Sequence, residues 1–267
     1  MQICLACGTE FKSARNDCPV CTDDRQYVGI GGQKWTTHEE LIQKFRIRIE
    51  DDAGLMGIGT EPGFAINQRA LLLPTSAGNI LWECTSLVTK EAVAALRQRG
   101  GVDMIVISHP HFYAAMARWS MALGGVPVLL HQADSEWVHY PPGNLHHWSG
   151  DTLRLSDDVT LIRTGGHFDG STVLHWAGGP RPGGALFPGD APQVAMDRTH
   201  VAFMYSYPNA IPMASADVAD IQSRMAGLFF ADIYGFTWGR NILGDGSEAV
   251  SRSAVRHLQR AGWARQA

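Results

Sequence analysis

The sequence predicts an α/β domain with a two-sheet core covered by helices, preceded by a small zinc ribbon. Three observations carry this reading. Short apolar or alternating runs are separated by capped helical stretches, in two broadly similar halves. Four candidate metal ligands, His109, His111, His167 and Asp190, each sit just after an apolar run. Four of the five cysteines fall within the first 21 residues as two Cys-x-x-Cys pairs.

Length and composition bound the problem. The chain has 267 residues, enough for one large domain and a small appendage. Apolar residues make up 45% and charged residues 18%, a mixture that buries a core. The net charge of −4 gives no broad electrostatic case for nucleic acid, which is not expected as a partner. The N-terminus has no basic region followed by an apolar stretch, so no secretory signal is expected. No apolar run reaches spanning length, so no membrane partner is expected either. The expected location is cytoplasmic, where thiols stay reduced.

The N-terminal unit is assigned to residues 1–27, and the larger domain to 28–267. Cys4-x-x-Cys7, ten intervening residues, then Cys18-x-x-Cys21 form two knuckles. Thiolates at that spacing close a tetrahedron around zinc. Gly8 after the first pair and Pro19 inside the second suit tight turns. So small a segment buries little core, and a metal supplies the missing stability. Two disulfides or a redox pair are the alternatives. Lys12, Arg15 and Arg25 stand against Glu10, Asp17, Asp23 and Asp24, which favours a structural or docking role. A protein partner or self-association through the ribbon is then the expected contact. Cys84, in an apolar context, reads as a core thiol.

The elements follow in order. Residues 25–35 carry Gly29, Gly31 and Gly32 and read as a linker. Thr37, with Glu40 three residues on, caps a short helix over 38–44. Residues 46–50 alternate as a strand, and 55–60 follow as its partner. Residues 70–74 and 79–84 are strands around a Ser-Ala-Gly turn. Thr89 caps the next helix, and Gly100-Gly101 stops it. Residues 102–107 form a strand, 113–123 a helix, 126–130 a strand and 133–138 a short helix. Residues 139–150, with His146 and His147, read as a loop. A hairpin over 152–155 and 159–163 follows, then a glycine-marked loop over 164–170 carrying His167, and strands over 172–176 and 185–190. A helix over 214–228, a strand over 229–236 and an amphipathic helix over 247–261 complete the chain.

The chemistry concentrates in Ser108-His109-Pro110-His111-Phe112-Tyr113. In extended backbone, side chains two apart point the same way, so the two imidazoles converge. With His167 and Asp190 they make a set suited to zinc, iron or manganese rather than calcium.

On these motifs the chain resembles the metallo-β-lactamase superfamily over roughly residues 28–267. That pattern runs strand, His-x-His-x-Asp-His, then Gly-His in a glycine-rich loop, then Gly-Asp, and a histidine near the last strand. Ser108-His109-Pro110-His111, Gly166-His167 and Gly189-Asp190 match its first three parts. The resemblance implies an αββα sandwich with the site at one edge of the sheets. It implies that His109, His111 and His167 hold one metal, with Asp190 adjacent. Where the family has Asp-His for a second metal, this chain has Tyr113 and Ala114. Near the last strand, Trp238 aligns with the missing histidine. A single catalytic ion is therefore expected beside the ribbon's structural zinc.

A single zinc still lowers the pKa of a water to about 7 and polarises a carbonyl. Asp190 completes the coordination or acts as general base. Tyr113 and Trp238 are expected to fill the vacated volume, with Tyr113 a candidate donor to an oxyanion. Asp169 is read as turn chemistry, His146 and His147 as surface groups, and His175 as core or ligand support. Tyr205, Tyr207 and Asn209 are candidates for a substrate pocket. Three readings follow. The first is a mononuclear zinc hydrolase of a small ester, thioester, lactone or amide. The second is a mononuclear iron oxygenase using His109, His167 and Asp190. The third is a metal-stabilised scaffold whose ribbon docks a partner.

Overall fold

Residues 1–262 are described by a computed structural model. At the N-terminus, β1 (Gln2–Cys4) pairs antiparallel with β2 (Glu10–Phe11). The turn between them holds Cys7 and Gly8. Gly8 sits at φ +81°, and a Cβ there would collide with Ser86 Oγ, which donates to the Gly8 carbonyl. Pro19 opens a one-turn helix, α1 (Pro19–Thr22), that carries Cys21 and follows Cys18. The third strand, β3 (Trp35–Thr36), pairs with the other edge of β1. The ribbon's sheet therefore closes at Thr36, beyond the expected boundary after residue 27. Residues 28–34 had looked like linker because glycines dominate them.

Helix α2 (His38–Lys44) starts where expected: the Thr37 hydroxyl accepts from the Glu40 N–H. The first large sheet then forms from β4 (Arg46–Asp52), β5 (Leu55–Glu61), β6 (Ala70–Thr75) and β7 (Gly78–Trp82) as an antiparallel meander. Beyond β7 the connections lengthen to helices and the pairing turns parallel. Helix α3 (Lys90–Gln98), capped by Thr89, leads to β8 (Met104–Val106). Helix α4 (Met116–Ala122) leads to β9 (Val128–His131), and β10 (Leu145–Trp148) adds at the edge.

Two local expectations change here. Residues 145–148 were expected in a loop; they form β10, whose central His146 and His147 are exposed and hide any alternation. The helix expected from residue 113 starts at Met116. Pro110–Phe112 is a 3-10 turn, and Ala114 at φ +37° interrupts the helical path.

The second sheet has the order β11-β12-β13-β14-β19-β20. Its strands are β11 (Thr152–Arg154), β12 (Val159–Arg163), β13 (Thr172–Trp176) and β14 (Ala185–Phe187), in antiparallel succession. Two small hairpins follow: β15 (Gln193–Val194) with β16 (Val201–Ala202), and β17 (Met204–Ser206) with β18 (Ile211–Pro212). After α5 (Ser215–Arg224), β19 (Asp232–Tyr234) pairs parallel with β14, and β20 (Asn241–Ile242) closes the edge. Helix α6 (Gly246–Arg260) ends the described chain.

Side-chain alternation turns these two sheets into four layers. Leu71, Leu73, Ile80, Trp82 and Val106 of the first sheet meet Leu161, Leu174, Phe187 and Tyr234 of the second. The alternate residues Ala70, Leu72, Leu81 and Ile105 pack outward with Val93 and Leu96 of α3 and Trp119 of α4. Ile162, Val173, Leu186 and Ile233 pack outward with Val218 and Ile221 of α5 and Ala249 and Val250 of α6. Strands buried on both faces read as continuous apolar runs, as residues 70–73 do. The architecture is the expected αββα sandwich. Among the described residues, no helix is long and apolar enough to cross a membrane.

A buried polar clasp joins the two sheets at one end. Arg69, 1% exposed, donates through Nε to Asp52 at 2.5 Å, through Nη1 to the Gly235 carbonyl at 2.5 Å and through Nη2 to Asn241 Oδ1 at 3.0 Å. Removing one partner of a buried pair strands the other charge. Asp52→Ala is expected to lower unfolding free energy by about 3–5 kcal/mol, measured by urea denaturation.

Candidate metal centre

The site forms where strand ends meet. The segment after β8 delivers His109 and His111, the β12–β13 loop His167, and the end of β14 Asp190. His109 is extended, but Pro110 starts a 3-10 turn, so the turn brings His111 round, not strand alternation. Gly189, at φ +60°, allows the β14 end to press against Ser108, with which a Cβ would collide.

All four donors are buried and lie within 4.8 Å of one another. Asp190 Oδ2 is 3.5 Å from His109 Nε2 and 3.9 Å from both His111 Nδ1 and His167 Nε2. His111 Nδ1 and His167 Nε2 are 3.1 Å apart. Four donors about 2.0–2.1 Å from one tetrahedral zinc ion lie about 3.3–3.4 Å apart, so these spacings fit one ion.

The outer nitrogens are held by the chain. His167 Nδ1 donates to the Met204 carbonyl at 3.2 Å, which leaves Nε2 unprotonated. His109 Nδ1 lies 2.8 Å from Ser108 Oγ, and the Ser108 N–H donates to Glu83 at 3.2 Å. His109 Nε2 is buried without a hydrogen-bond partner among the described residues, as a ligand nitrogen would be. Burial pushes the His111 pKa down to about 4 and the His167 pKa well below its usual value. Both imidazoles are thus neutral at pH 7, as metal binding requires. Burial opposes ionisation of Asp190, yet the His109 and His111 imidazoles facing its carboxylate hold its pKa below the usual carboxylate range. Burial raises Glu83 to about 8, with Ser108 opposing and the charge of Asp190 adding to the rise.

The loop carrying His167 is braced from both sides. The Phe168 N–H donates to Ser171 Oγ at 2.8 Å, and the Gly170 N–H to Asp134 Oδ1 at 2.7 Å. Asp169, to which the turn chemistry was ascribed, is exposed; its carbonyl accepts from Arg163 Nε at 2.6 Å. Ser171 and Asp134 do that work instead.

The cavity over this centre has a volume of about 160 Å³. His111, His167 and Asp190 form its floor, and Ala65, Ile66, Phe236, Tyr207, Pro208 and Gln193 line its sides. The remaining wall is Ala6, Arg25, Gln26 and Tyr27, from the ribbon and the arm that follows it. The ribbon thus packs on the cavity. Arg25 Nη1 donates to the His167 carbonyl at 3.2 Å, and its guanidinium stacks 3.8 Å from the Phe168 ring centroid. Ser206 Oγ donates to the Arg25 carbonyl, and Asn209 Nδ2 donates to the carbonyls of Asp24 and Gln26. Asn209 therefore pins the arm, while Tyr207 lines the cavity and Tyr205 faces Arg25.

Two aromatic residues lie away from the cavity. Tyr113 is buried in the core under the first sheet and does not line the cavity, so its position gives no support to the oxyanion role. Trp238 lies over β5, where a Cβ at Gly57 or Gly59 would come within 2.6 Å of its ring, and Arg48 covers its other side at 4.3 Å. Phe236, two residues earlier and stacked on Phe112, is the ring that reaches the cavity. His146 and His147 are exposed on β10, and His175 meets the Phe229 carbonyl, away from the centre.

The four cysteine sulfurs form a second cluster. Cys4 and Cys21 are 3.5 Å apart and Cys7 and Cys18 3.6 Å, with no disulfide. Four sulfurs about 2.3 Å from one zinc lie about 3.8 Å apart, so the knuckles fit an ion as well. Gln33 Nε2 donates to Cys4 Sγ at 3.1 Å, a contact suited to a thiolate.

Comparison with solved structures defines the class: the chain has the metallo-β-lactamase fold. DIM-1 metallo-β-lactamase superposes with a TM-score of 0.57 at 12% identity, over 80% of this chain and 98% of that one. The class B3 di-zinc enzyme LRA-12, from an Alaskan soil metagenome, gives 0.52 at 16% identity, over 80% and 93%. A B3 metallo-β-lactamase with an active-site glutamic acid gives 0.52 at 18%, over 80% and 89%. No protein-family model matches the chain. It belongs to the same family as the uncharacterized protein YmaE of Bacillus subtilis (strain 168), which is 37% identical over 263 residues, covering 96% of this chain and 95% of that protein.

Two outcomes follow from this geometry. His167→Ala is expected to remove one bound metal per chain and leave the ribbon's ion, measured by elemental analysis of dialysed protein. Asp134 tests the loop brace. Burial is the main cause of its raised pKa of about 7, against about 3.9 in an unfolded chain. The folded protein keeps a proton that the unfolded chain has released, so stability falls as pH climbs through that window. Asp134→Asn is expected to flatten the decline of melting temperature between pH 4 and 7; parallel curves would contradict it.

Proposed function

We propose that this chain is a metal-dependent hydrolase with one catalytic zinc ion, acting on a small neutral ester, thioester, lactone or amide. One observation carries the reading: three imidazoles and a carboxylate converge at single-ion spacing beneath an accessible cavity. Support for a single ion comes from the walls. Beyond His111, His167 and Asp190, no histidine, cysteine or carboxylate lines the cavity among the described residues. Apolar Ala65, Ile66 and Phe236 stand there instead.

The donor set fits zinc: His109, His111 and His167 would hold it and leave a position for water, with Asp190 beside that position. Bound zinc supplies Lewis acidity, polarising a carbonyl and bringing the pKa of a water to about 7. The chain does the rest. Asp190 Oδ2 faces the imidazoles, while Gln193 Nε2 donates to Oδ1 at 3.2 Å and fixes the carboxylate plane. Ionised at neutral pH, Asp190 accepts a proton on the cavity side. The aromatic and aliphatic walls exclude water from the substrate's body, which strengthens polar interactions at the floor.

Hydrolysis of p-nitrophenyl acetate and of a lactone and thioester panel tests the proposal. Asp190→Asn is expected to lower kcat/KM by about 100-fold or more. Turnover that survives in His167→Ala, or iron with an oxygen requirement in the purified protein, would contradict it.

A further inference from the structure

One wall residue has chemistry that the catalytic centre leaves unused. Gln26 is 7% exposed and lines the cavity beside His111, His167 and Asp190. Its backbone is fixed: its N–H donates to the Asp23 carbonyl at 3.0 Å, and its carbonyl accepts from Asn209 at 2.8 Å. Its side-chain carboxamide has no hydrogen-bond partner among the described residues. Its polar atoms are not among the buried ones left without a partner, so they stay open to solvent or to a ligand.

The neighbouring charge is already committed. Arg25 donates to both oxygens of Asp23, at 2.6 and 2.9 Å, and to the His167 carbonyl. The Tyr207 hydroxyl is engaged with the carbonyls of Asp190 and Ala202, and Gln193 with Asp190. Ala6, Ala65, Ile66 and Phe236 are apolar. Beside the Tyr27 hydroxyl and the Gln193 amide oxygen, the Gln26 carboxamide is a wall group with both donor and acceptor uncommitted to other side chains or backbone.

We propose that Gln26 is the specificity-determining residue of this cavity and selects a neutral substrate with an amide-like N–H and C=O beside the bond that is cut. The proposal rests on the hydrolase reading above and narrows its substrate class. It also makes the ribbon arm part of the binding site. A wall group that hydrogen-bonds a substrate amide favours substrates that carry one over analogues that lack it.

Two small zinc ligands separate this proposal from the reading beneath it. Acetohydroxamic acid carries an N–H and a C=O on its zinc-binding head; azide carries neither. Both are titrated calorimetrically into zinc-loaded full-length protein, wild type, Gln26→Leu and Gln26→Glu. Both variants are expected to weaken acetohydroxamate about fivefold to tenfold and to leave azide within about twofold. Unchanged acetohydroxamate affinity with intact azide binding would overturn the role of Gln26 alone. Loss of zinc in both variants would make Gln26 structural and overturn it too. Failure of the wild type to bind either probe would overturn the metal centre and, with it, this proposal.

Discussion

A carboxylate and three imidazoles are buried together at the end of the sandwich, and everything nearby serves that grouping. Such a cluster is stable only if the charge of Asp190 is answered. Burial disfavours protonation of His111 and His167. A divalent cation bound there, as proposed, would answer it. The demand for one point of convergence then fixes the fold around it. Three strand ends from both sheets must meet within a few ångströms, which ties the registers of β8, β12–β13 and β14 to one another.

The ribbon extends this logic. Its first knuckle places Ala6 between two cysteines and at the cavity wall, while its arm supplies Arg25 and Gln26. The ribbon and its arm therefore form part of the cavity wall. The contacts are polar and directional: Arg25 on the His167 carbonyl, Asn209 on the arm, and Glu10 N–H on the Ala114 carbonyl at 3.1 Å. Ala114 stands where the metallo-β-lactamase pattern places a histidine. Here its carbonyl anchors the ribbon.

The four-layer plan was legible because doubly buried strands leave apolar runs, and because Thr37 and Thr89 announce helix starts through their hydroxyls. The ligands were legible because His-x-His, Gly-His and Gly-Asp follow such runs. Other features left no local trace. β10 is a short edge strand with two exposed histidines at its centre. Trp238 is expected in the cavity from sequence because the glycines beneath its ring, Gly57 and Gly59 of β5, are distant in the chain, and the Arg69 N–H on the Phe236 carbonyl ties the two regions together. Glu83 stood inside an apolar stretch where a carboxylate signals nothing until Ser108 packs against it. Gln26 lay in a segment whose composition reads as linker, and its importance arises from burial alone.

The most direct measurement is anomalous diffraction at the zinc edge from crystals grown without chelator. The account predicts two peaks per chain: one among Cys4, Cys7, Cys18 and Cys21, and one among His109, His111, His167 and Asp190. A pair of peaks in the cavity, or none there, would contradict it.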